Sequence, residues 1–410
     1  MTQIQRIVLA KRPVGDVTAD CFRDETATLA APADGQILIR SRFLSLDPYM
    51  RPRMTELRSY TPPFDLDKPL TGGSVGEVVE SKNPRYAKGD IVMGMLDWAT
   101  HTLHDGKGLR KIDAMGIPLS AHLGVLGMPS FTAWYGMKHI CKPKAGETVF
   151  VSAATGAVGQ VAGQLAKLAG AKVVGCAGDE QKCQWAVREA AYDACFNHKT
   201  ERDYGAVLDK LCPQGIDADF ENVGGKVFDA VLPRLNDFAR IPVCGLIADY
   251  NTIFGKDTPT PPWANTIMRS ILVKRLNFRG FIVRDFAAMY PDFIRDMSQW
   301  LREGKLKHKE FVTEGLDSAP GPGQIDFLDT FMHEVAHGLG FQNFASETTG
   351  GTPLGLPDVY MANTLDLDRG LWNTFDAATI RASSINEKRV VWAGPRVTAT
   401  SAPRLSCPSR

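Results

Sequence analysis

Short stretches of alternating apolar and polar residues, separated by glycine and proline, fill the first 125 residues. The segment GQILIRSRFLSLDPYM contains a predicted strand, Ile37–Leu44, that ends at an Asp-Pro turn. The segments GEVVES and KGDIVMGM continue the same pattern. Short strands at this density predict a β-rich domain over residues 1–125, built as a partly open barrel or a folded sheet.

Strands and helices alternate from about residue 126 onward. TVFVSA, residues 148–153, is a continuous apolar run, which is typical of a strand buried on both faces. AVGQVAGQLAKLAG, residues 157–170, follows with the spacing of an amphipathic helix and ends on glycine. The alternation predicts an α/β fold with a doubly wound parallel sheet over residues 126–289. Residues 285–306 have the pattern of one long helix.

The strongest interruption of the pattern is GLDSAPGPGQ, residues 315–324, which contains two Pro-Gly pairs. We place a domain boundary there. Residues from about 290 to 320 are predicted to return to the β-rich domain, and residues 325–410 to form an atypical α+β tail.

Charge and cysteine content limit the functional classes. Forty-seven basic residues face forty-six acidic ones, for a net charge of +1, and no charge run predicts binding to nucleic acid or a membrane surface. No apolar run has the length of a membrane span, and the N-terminal IVLA is too short for a signal peptide. The eight cysteines include no CxxC pair, which favours a reducing, cytoplasmic setting.

A glycine-rich pattern, Ala154-x-Gly156-x-x-Gly159, lies between the buried strand and the helix that follows it. In this context glycines let the backbone approach a pyrophosphate, and the helix N-terminus offers N–H groups and a positive dipole end. The alternative is a turn whose glycines serve only helix–sheet packing.

The end of the second parallel strand bears on the choice of dinucleotide. NAD sites carry an acidic residue there, whereas this chain has Ala177, followed by Lys182. A small residue and a nearby cation suit the 2'-phosphate of NADP. Asp179 counts against this interpretation, and Lys182 would also fit a solvated helix position.

Several motifs together resemble one family. They are SLDPYMRPRM (45–54), GGSVGEVVESKNPRYAKGDIV (72–92), LGVLGMPSFTAWYGM (123–137), AATGAVGQVAGQLAKLAGAKVVG (153–175), FENVGG (220–225), CGLIADYN (244–251) and EGKLKHKEFVTEGLDSAP (303–320). Residues 1 to about 320 resemble the medium-chain dehydrogenase/reductase superfamily, in its prostaglandin reductase and alkenal reductase branch.

The resemblance implies a GroES-like catalytic domain and a Rossmann cofactor domain. It also implies NADPH-dependent reduction of the carbon–carbon double bond of α,β-unsaturated aldehydes and ketones, without zinc, by a chain that pairs into a homodimer. TGGSVGEV, residues 71–78, agrees with the zinc-free form, because zinc-dependent relatives have Gly-His-Glu there.

Cofactor contacts follow from the same resemblance. It implies pyrophosphate contacts along residues 156–159, a contact from Lys182 to the 2'-phosphate, and a lining formed by the 244–250 backbone and residues 281–283. His198 stands where the family usually has a tyrosine near that phosphate, and an imidazole also donates to phosphate. The implied cofactor residues are Gly156, Ala157, Val158, Gly159, Lys182, His198, Asn222, Cys244, Tyr250, Phe281 and Val283.

Reduction of an enone needs little acid–base machinery. Hydride goes to the β-carbon, and negative charge develops on the carbonyl oxygen, where a hydrogen-bond donor is useful. Tyr250 is the candidate donor, acting with a ribose hydroxyl of the cofactor, although a tyrosine that only caps a strand end is the alternative. Tyr49 and Arg51, in the DPYMR turn, are expected to face the substrate; the alternative is a structural turn with a solvated Arg51.

A second motif, HEVAHGLGFQNF, lies in the tail. His333 and His337, four residues apart on a helix, would ligate one zinc ion, and Glu334 would act as general base on a bound water. Residues 325–397 resemble a secreted zincin-type metallopeptidase-like family, so the chain has the pattern of a chimera. The alternative is a metal-free structural helix, because Asn343 stands where a third ligand is expected.

These patterns favour an NADPH-dependent enone reductase that acts on a small enal or enone. Two other functions stay open: a zinc-dependent hydrolase working through the HEVAH helix, and a non-catalytic NADPH-binding protein.

Overall fold

The computed structural model describes residues 1–56, 59–112, 117–250, 263–310 and 312, together with three short strands in the tail. The backbone groups into two compact units, Met1–Ser318 and Ala319–Arg410. No helix of the described residues is long and apolar enough to cross a membrane.

The first 112 residues form two antiparallel sheets. A five-stranded sheet has the order β6-β3-β4-β5-β7, and β1 pairs with β2 in a separate ribbon. Ile37, Ile39 and Val92 are fully buried in this half because alternate strand positions face its core. The elements are β1 Thr2–Leu9, β2 Phe22–Leu29, β3 Ile37–Leu44, α1 Met50–Arg53, β4 Thr71–Ser81, β5 Ile91–Asp97, β6 His101–His104 and β7 Arg110–Lys111. The predicted β-rich domain is confirmed, and β3 has the predicted bounds.

The second half contains a six-stranded parallel sheet in the order β10-β9-β8-β11-β12-β13. Its strands are β8 Thr148–Val151, β9 Lys172–Ala177, β10 Ala194–Asn197, β11 Ile216–Phe220, β12 Leu235–Val243 and β13 Asn277–Gly280. All four residues of β8 are buried, which explains the uninterrupted apolar run. The order reverses between β8 and β11, and ligands of such sheets bind at the carboxyl ends of the strands beside that reversal. The predicted doubly wound sheet is confirmed.

Helices cover both faces of the parallel sheet. They are α2 Met128–Tyr135, α3 Gly159–Leu168, α4 Glu180–Arg188, α5 Tyr204–Leu211, α6 Gly225–Val231, α7 Trp263–Lys274 and α8 Tyr290–Arg302. A π-helical segment, Gly136–Cys141, continues α2.

The predicted single helix over residues 285–306 is wrong. A 3-10 segment, Val283–Met289, precedes α8, and Phe286 inside it has non-helical angles, φ −109° and ψ 21°. Pro291 lies in the first turn of α8, where its missing N–H costs no helical hydrogen bond. The proline therefore marks the start of a new helix.

Residues 307–309 are held against α3 by two glutamine side chains. The Gln164 amide donates to Lys307 O (2.8 Å) and accepts from Lys307 N (2.7 Å). The Gln160 amide makes the same pair of bonds with Lys309, at 3.2 and 2.9 Å. Both glutamines are buried. The assignment of residues 290–320 to the β-rich domain stays a prediction.

In the tail, Thr364–Asp366 pairs antiparallel with Gly370–Leu371 and with Val390–Trp392 in a small three-stranded sheet. His333, Glu334 and His337 lie outside the described residues, so the zinc site and its helix stay predictions.

Candidate functional site

The glycine-rich turn connects β8 to α3 at the reversal of strand order. Ala153 has a positive φ of 50°, and Gly156 N donates to Ala153 O at 3.0 Å. A Cβ on Gly159 would lie 2.1 Å from Ala153 O, so only glycine fits there. A Cβ on Gly156 would meet nothing closer than Ala153 O at 3.3 Å. Packing therefore requires Gly159, whereas Gly156 would accommodate a Cβ only tightly and is exposed, so a ligand can approach its backbone.

Tyr192 stabilises this turn through its hydroxyl and its ring. Its buried hydroxyl lies 2.8 Å from Gly159 O, to which it donates, and 3.2 Å from Ala154 O. Its ring fills the space beside Gly163 on α3, where an added Cβ would lie 2.2 to 2.3 Å from ring and hydroxyl atoms. No local sequence pattern predicts this role, since the glycines and carbonyls that the Tyr192 side chain contacts lie 17 or more positions earlier in the chain.

The end of β9 gathers positive charge. Asp179 caps α4 by accepting a hydrogen bond from Lys182 N at 2.7 Å, so its carboxylate has a structural task. Lys182 Nζ is 3.7 Å from Asp179 Oδ2. His198 follows β10, and its N–H donates to Ala177 O at 3.1 Å. Burial, with Lys199 and Lys182 nearby, lowers the pKa of His198 to about 4. The cations around Ala177 suit an anionic ligand such as a phosphate.

Asn222 is held at the end of β11 by a network that the sequence did not reveal. Its N–H donates to Ser152 Oγ at 2.8 Å, and its amide donates to Ser152 O at 2.8 Å. Glu221, only 2% exposed, accepts from Ser152 Oγ (3.1 Å), Val223 N (2.5 Å) and Gly224 N (2.8 Å). This carboxylate joins the ends of β8 and β11 and fixes the backbone beside the reversal.

Asp219 lies two residues before Glu221 and is fully buried on the same strand face. Neither of its carboxylate oxygens has a hydrogen-bond partner among the described residues. Burial and the neighbouring Glu221 raise the pKa of Asp219 well above its usual value. A protonated Asp219 avoids placing two negative charges side by side in the core.

Tyr250 follows a 3-10 turn, Ile247–Asp249, beyond the end of β12. Its hydroxyl borders Gly245, where an added Cβ would lie 3.5 Å away. Burial, with contributions from Tyr60 and Cys244, raises the pKa of Tyr250 to about 12. Tyr60 belongs to the β-rich half, so the Tyr250 phenol lies close to a side chain of that half, and it keeps its proton at neutral pH. Burial also raises the pKa of Cys244 to about 12.

The two candidate side chains of the DPYMR turn, Tyr49 and Arg51, lie in different surroundings. Tyr49 Oη lies 3.9 Å from Met95 Sδ, and Arg284 Nη2 lies 3.8 Å from the same sulfur. Burial, followed by Asp47, raises the pKa of Tyr49 to about 12. Arg51 is 1% exposed and donates to Gly15 O at 2.6 Å. These contacts favour a structural role for Arg51, as a buried and not a solvated side chain.

Phe281 and Val283 contribute their side chains to the core. Both are buried, and the Phe281 ring lies 5.6 Å from that of Tyr135. Any lining of the cofactor by residues 281–283 must therefore come mainly from their backbone.

Among the described residues, no three His, Cys, Asp or Glu side chains are grouped as metal ligands would be.

A β-rich domain beside a parallel sheet, with a glycine-rich turn and a cationic second strand end, defines a two-domain, dinucleotide-dependent oxidoreductase. Two family models match, one described as the N-terminal domain of oxidoreductase (residues 5–112) and one as zinc-binding dehydrogenase (157–300). The chain belongs to the medium-chain dehydrogenase/reductase superfamily, in its zinc-independent branch.

Individual relatives agree with this assignment. The chain is 46% identical over 317 residues to the NADPH-dependent curcumin reductase of Escherichia coli, covering 77% of this chain and 91% of that protein. It is 40% identical to the NADP(+)-dependent 2-alkenal reductase of Nicotiana tabacum, covering 73% and 86%. The structure of CurA in complex with NADPH from Vibrio vulnificus superposes with a TM-score of 0.75 at 42% identity, covering 81% and 96%.

Proposed function

We propose that this protein uses NADPH to reduce the carbon–carbon double bond of α,β-unsaturated aldehydes and ketones. The observation that carries the proposal is the position of the Tyr250 phenol, whose hydroxyl borders Gly245 just beyond the carboxyl end of β12, with Tyr60 of the β-rich half nearby. A donor of this kind is what the developing enolate oxygen requires. Relatives whose names specify curcumin and 2-alkenal reduction support the same chemistry.

The residues of the site fit an NADP cofactor. The turn at residues 156–159 would hold the pyrophosphate, with Gly156 on the open side. Lys182 and His198 would hold the 2'-phosphate, and the bonds of Ser152 and Glu221 keep Asn222 in place beside the strand end. Lys182 offers a positive charge and neutral His198 a ring N–H, and both would bind a 2'-phosphate better than a 2'-hydroxyl.

Bound NADPH supplies the hydride that reduces the β-carbon. Tyr250 donates a hydrogen bond to the carbonyl oxygen, on which charge accumulates. The raised pKa of its phenol keeps this donor neutral over the working pH range. Tyr49, whose pKa is also raised by burial, belongs to the β-rich half beside Met95 and would contact the substrate body.

The deciding experiment measures NADPH oxidation with a medium-chain 2-alkenal and an enone, with and without a strong chelator. We expect turnover that the chelator does not change. NADPH oxidation that the chelator abolishes would contradict a zinc-independent reductase, and chelator-sensitive peptide hydrolysis without NADPH oxidation would favour the hydrolase. NADPH binding without turnover would favour a non-catalytic binding protein.

We also propose a homodimer working in the cytoplasm. β13 forms one edge of the parallel sheet, and three of its four residues are exposed. Met268, Leu272 and Val273 on the neighbouring α7 are also exposed, at 56 to 77%. An edge strand with apolar neighbours is suited to pairing with a second copy. Analytical ultracentrifugation decides between a monomer and a dimer.

The free thiols of the described cysteines fit a reducing compartment.

A further inference from the structure

Two cysteines contact each other between α4 and β10. The Sγ atoms of Cys183 and Cys195 are 3.2 Å apart, and both thiols are free. Cys183 is 3% exposed, whereas Cys195 is partly exposed. The disulfide S–S bond is about 2.05 Å long, so a shift of roughly 1.2 Å would join them.

The two cysteines lie close in sequence to Lys182 and His198, the residues assigned to the 2'-phosphate. Lys182 precedes Cys183 on α4, and His198 follows Cys195 by three residues at the end of β10. Asp179 fixes the first turn of α4 through its bond to Lys182 N. A movement of α4 toward β10 therefore changes the spacing between Lys182 and His198, the two side chains assigned to the 2'-phosphate.

We propose that Cys183 and Cys195 form an oxidation site at which a peroxide produces a disulfide and weakens NADPH binding. The effect on NADPH rests on the proposed function, whereas the disulfide itself does not. This site lies at the adenosine end of the cofactor, away from Tyr250, so oxidation changes the affinity for NADPH and leaves the hydride-transfer step intact.

The chemistry needs only one peroxide. One thiol attacks the peroxide O–O bond and becomes a sulfenic acid, releasing one water from hydrogen peroxide. The second thiol attacks that sulfur, the S–S bond forms, and the sulfenic oxygen leaves as a second water. Two thiols are oxidised and one peroxide is reduced to two waters. A dithiol reductant reverses the step by thiol–disulfide exchange.

The surroundings make this site slow to react. The hydrogen bond with Cys183 and burial raise the pKa of Cys195, so the more accessible thiol is protonated at neutral pH. The pair therefore stays reduced at low peroxide and oxidises under sustained exposure. Cys176, buried on the adjacent strand β9 and close enough to Cys195 to interact with it, is a competing thiol.

The test treats the full chain with hydrogen peroxide, removes the oxidant, and maps peptides without reduction. We expect a linked Cys183–Cys195 peptide and about a fivefold to tenfold rise in the Kd for NADPH, with kcat changed less than twofold. Dithiothreitol should restore the Kd. Cys183→Ser and Cys195→Ser should each resist the change, while the matched control Cys212→Ser should respond like the unmodified chain.

A peptide linking Cys195 to Cys176, or no linked peptide, would overturn the oxidation site. A linked Cys183–Cys195 peptide with an unchanged Kd would overturn the effect on the cofactor. If the reduced chain fails to bind NADPH at all, the proposed function fails and the effect on affinity fails with it. The peptide map still decides in that case whether the pair is an oxidation site.

Discussion

The contact between Tyr192 and Gly163 allows a test of how the dinucleotide turn is held. Tyr192→Phe removes the hydroxyl that donates to Gly159 O at 2.8 Å. A neutral hydrogen bond of this kind contributes about 1 kcal/mol to the free energy of unfolding. Gly163→Ala would gain roughly 1 kcal/mol of helix propensity in α3. Its Cβ, however, would lie 2.2 to 2.3 Å from Tyr192 atoms, so the phenol has to move. Overpacking costs about 1–3 kcal/mol, and the bond to Gly159 O is lost as well.

We therefore expect both single variants to be destabilised, Tyr192→Phe by about 1 kcal/mol and Gly163→Ala by about 1–3 kcal/mol. Tyr192→Phe should cost almost nothing further in the Gly163→Ala background, because that background has already lost the bond. The coupling between the two changes should be about 1 kcal/mol. Thermal unfolding of all four proteins, with and without NADPH, measures it. Strictly additive costs would refute the view that Tyr192 braces the turn through this bond.

Three further predictions concern the active site and its pH dependence. Tyr250→Phe should lower kcat about 10²-fold to 10³-fold with little change in the KM for NADPH, because one oxyanion donor is lost; an unchanged kcat in steady-state assays would remove Tyr250 from catalysis. Lys182→Ala should raise the KM for NADPH about fivefold to thirtyfold and leave the KM for NADH unchanged, since a partly exposed charged contact is worth about 1–2 kcal/mol. An equal effect on the KM of both cofactors would contradict the 2'-phosphate assignment. The pKa of His198, about 4 in the fold against an ordinary 6.5, means that the unfolded chain binds the extra proton first. Stability should therefore fall as pH drops from 6.5 toward 4, and His198→Tyr should flatten this slope in thermal unfolding measurements; a slope that His198→Tyr leaves unchanged would assign the acid sensitivity to other groups.

The local pattern of apolar and polar residues was sufficient to predict the strands that follow this pattern regularly. The strand Ile37–Leu44 and the buried strand of the glycine-rich turn follow from side-chain alternation and from an apolar run. Pro291 also indicates the start of α8, because proline favours the first turn of a helix. The continuous apolar face over residues 285–306 nevertheless led to the prediction of one longer helix.

Contacts between distant segments could not be predicted in the same way. Tyr192 has no local pattern that marks it, and the FENVGG motif contains Glu221 without showing what its carboxylate binds. The roles of both residues depend on carbonyl and hydroxyl groups from other elements. The burial of Arg51 depends on Gly15, 36 residues earlier in the chain. Sequence identified the residues that resemble a known site, and the structure identified the residues that hold them in place.

The paired amide bonds of Gln160 and Gln164 have a mechanical consequence for whatever follows them. Each glutamine both donates to and accepts from one residue of the 307–309 segment, as a neighbouring strand would. Tension applied to the chain beyond residue 310 would load these four bonds together, in shear, before it reached the parallel sheet. Because Gln160 directly follows Gly159 at the end of the glycine-rich turn, the same bonds mechanically connect the 307–309 segment to that turn.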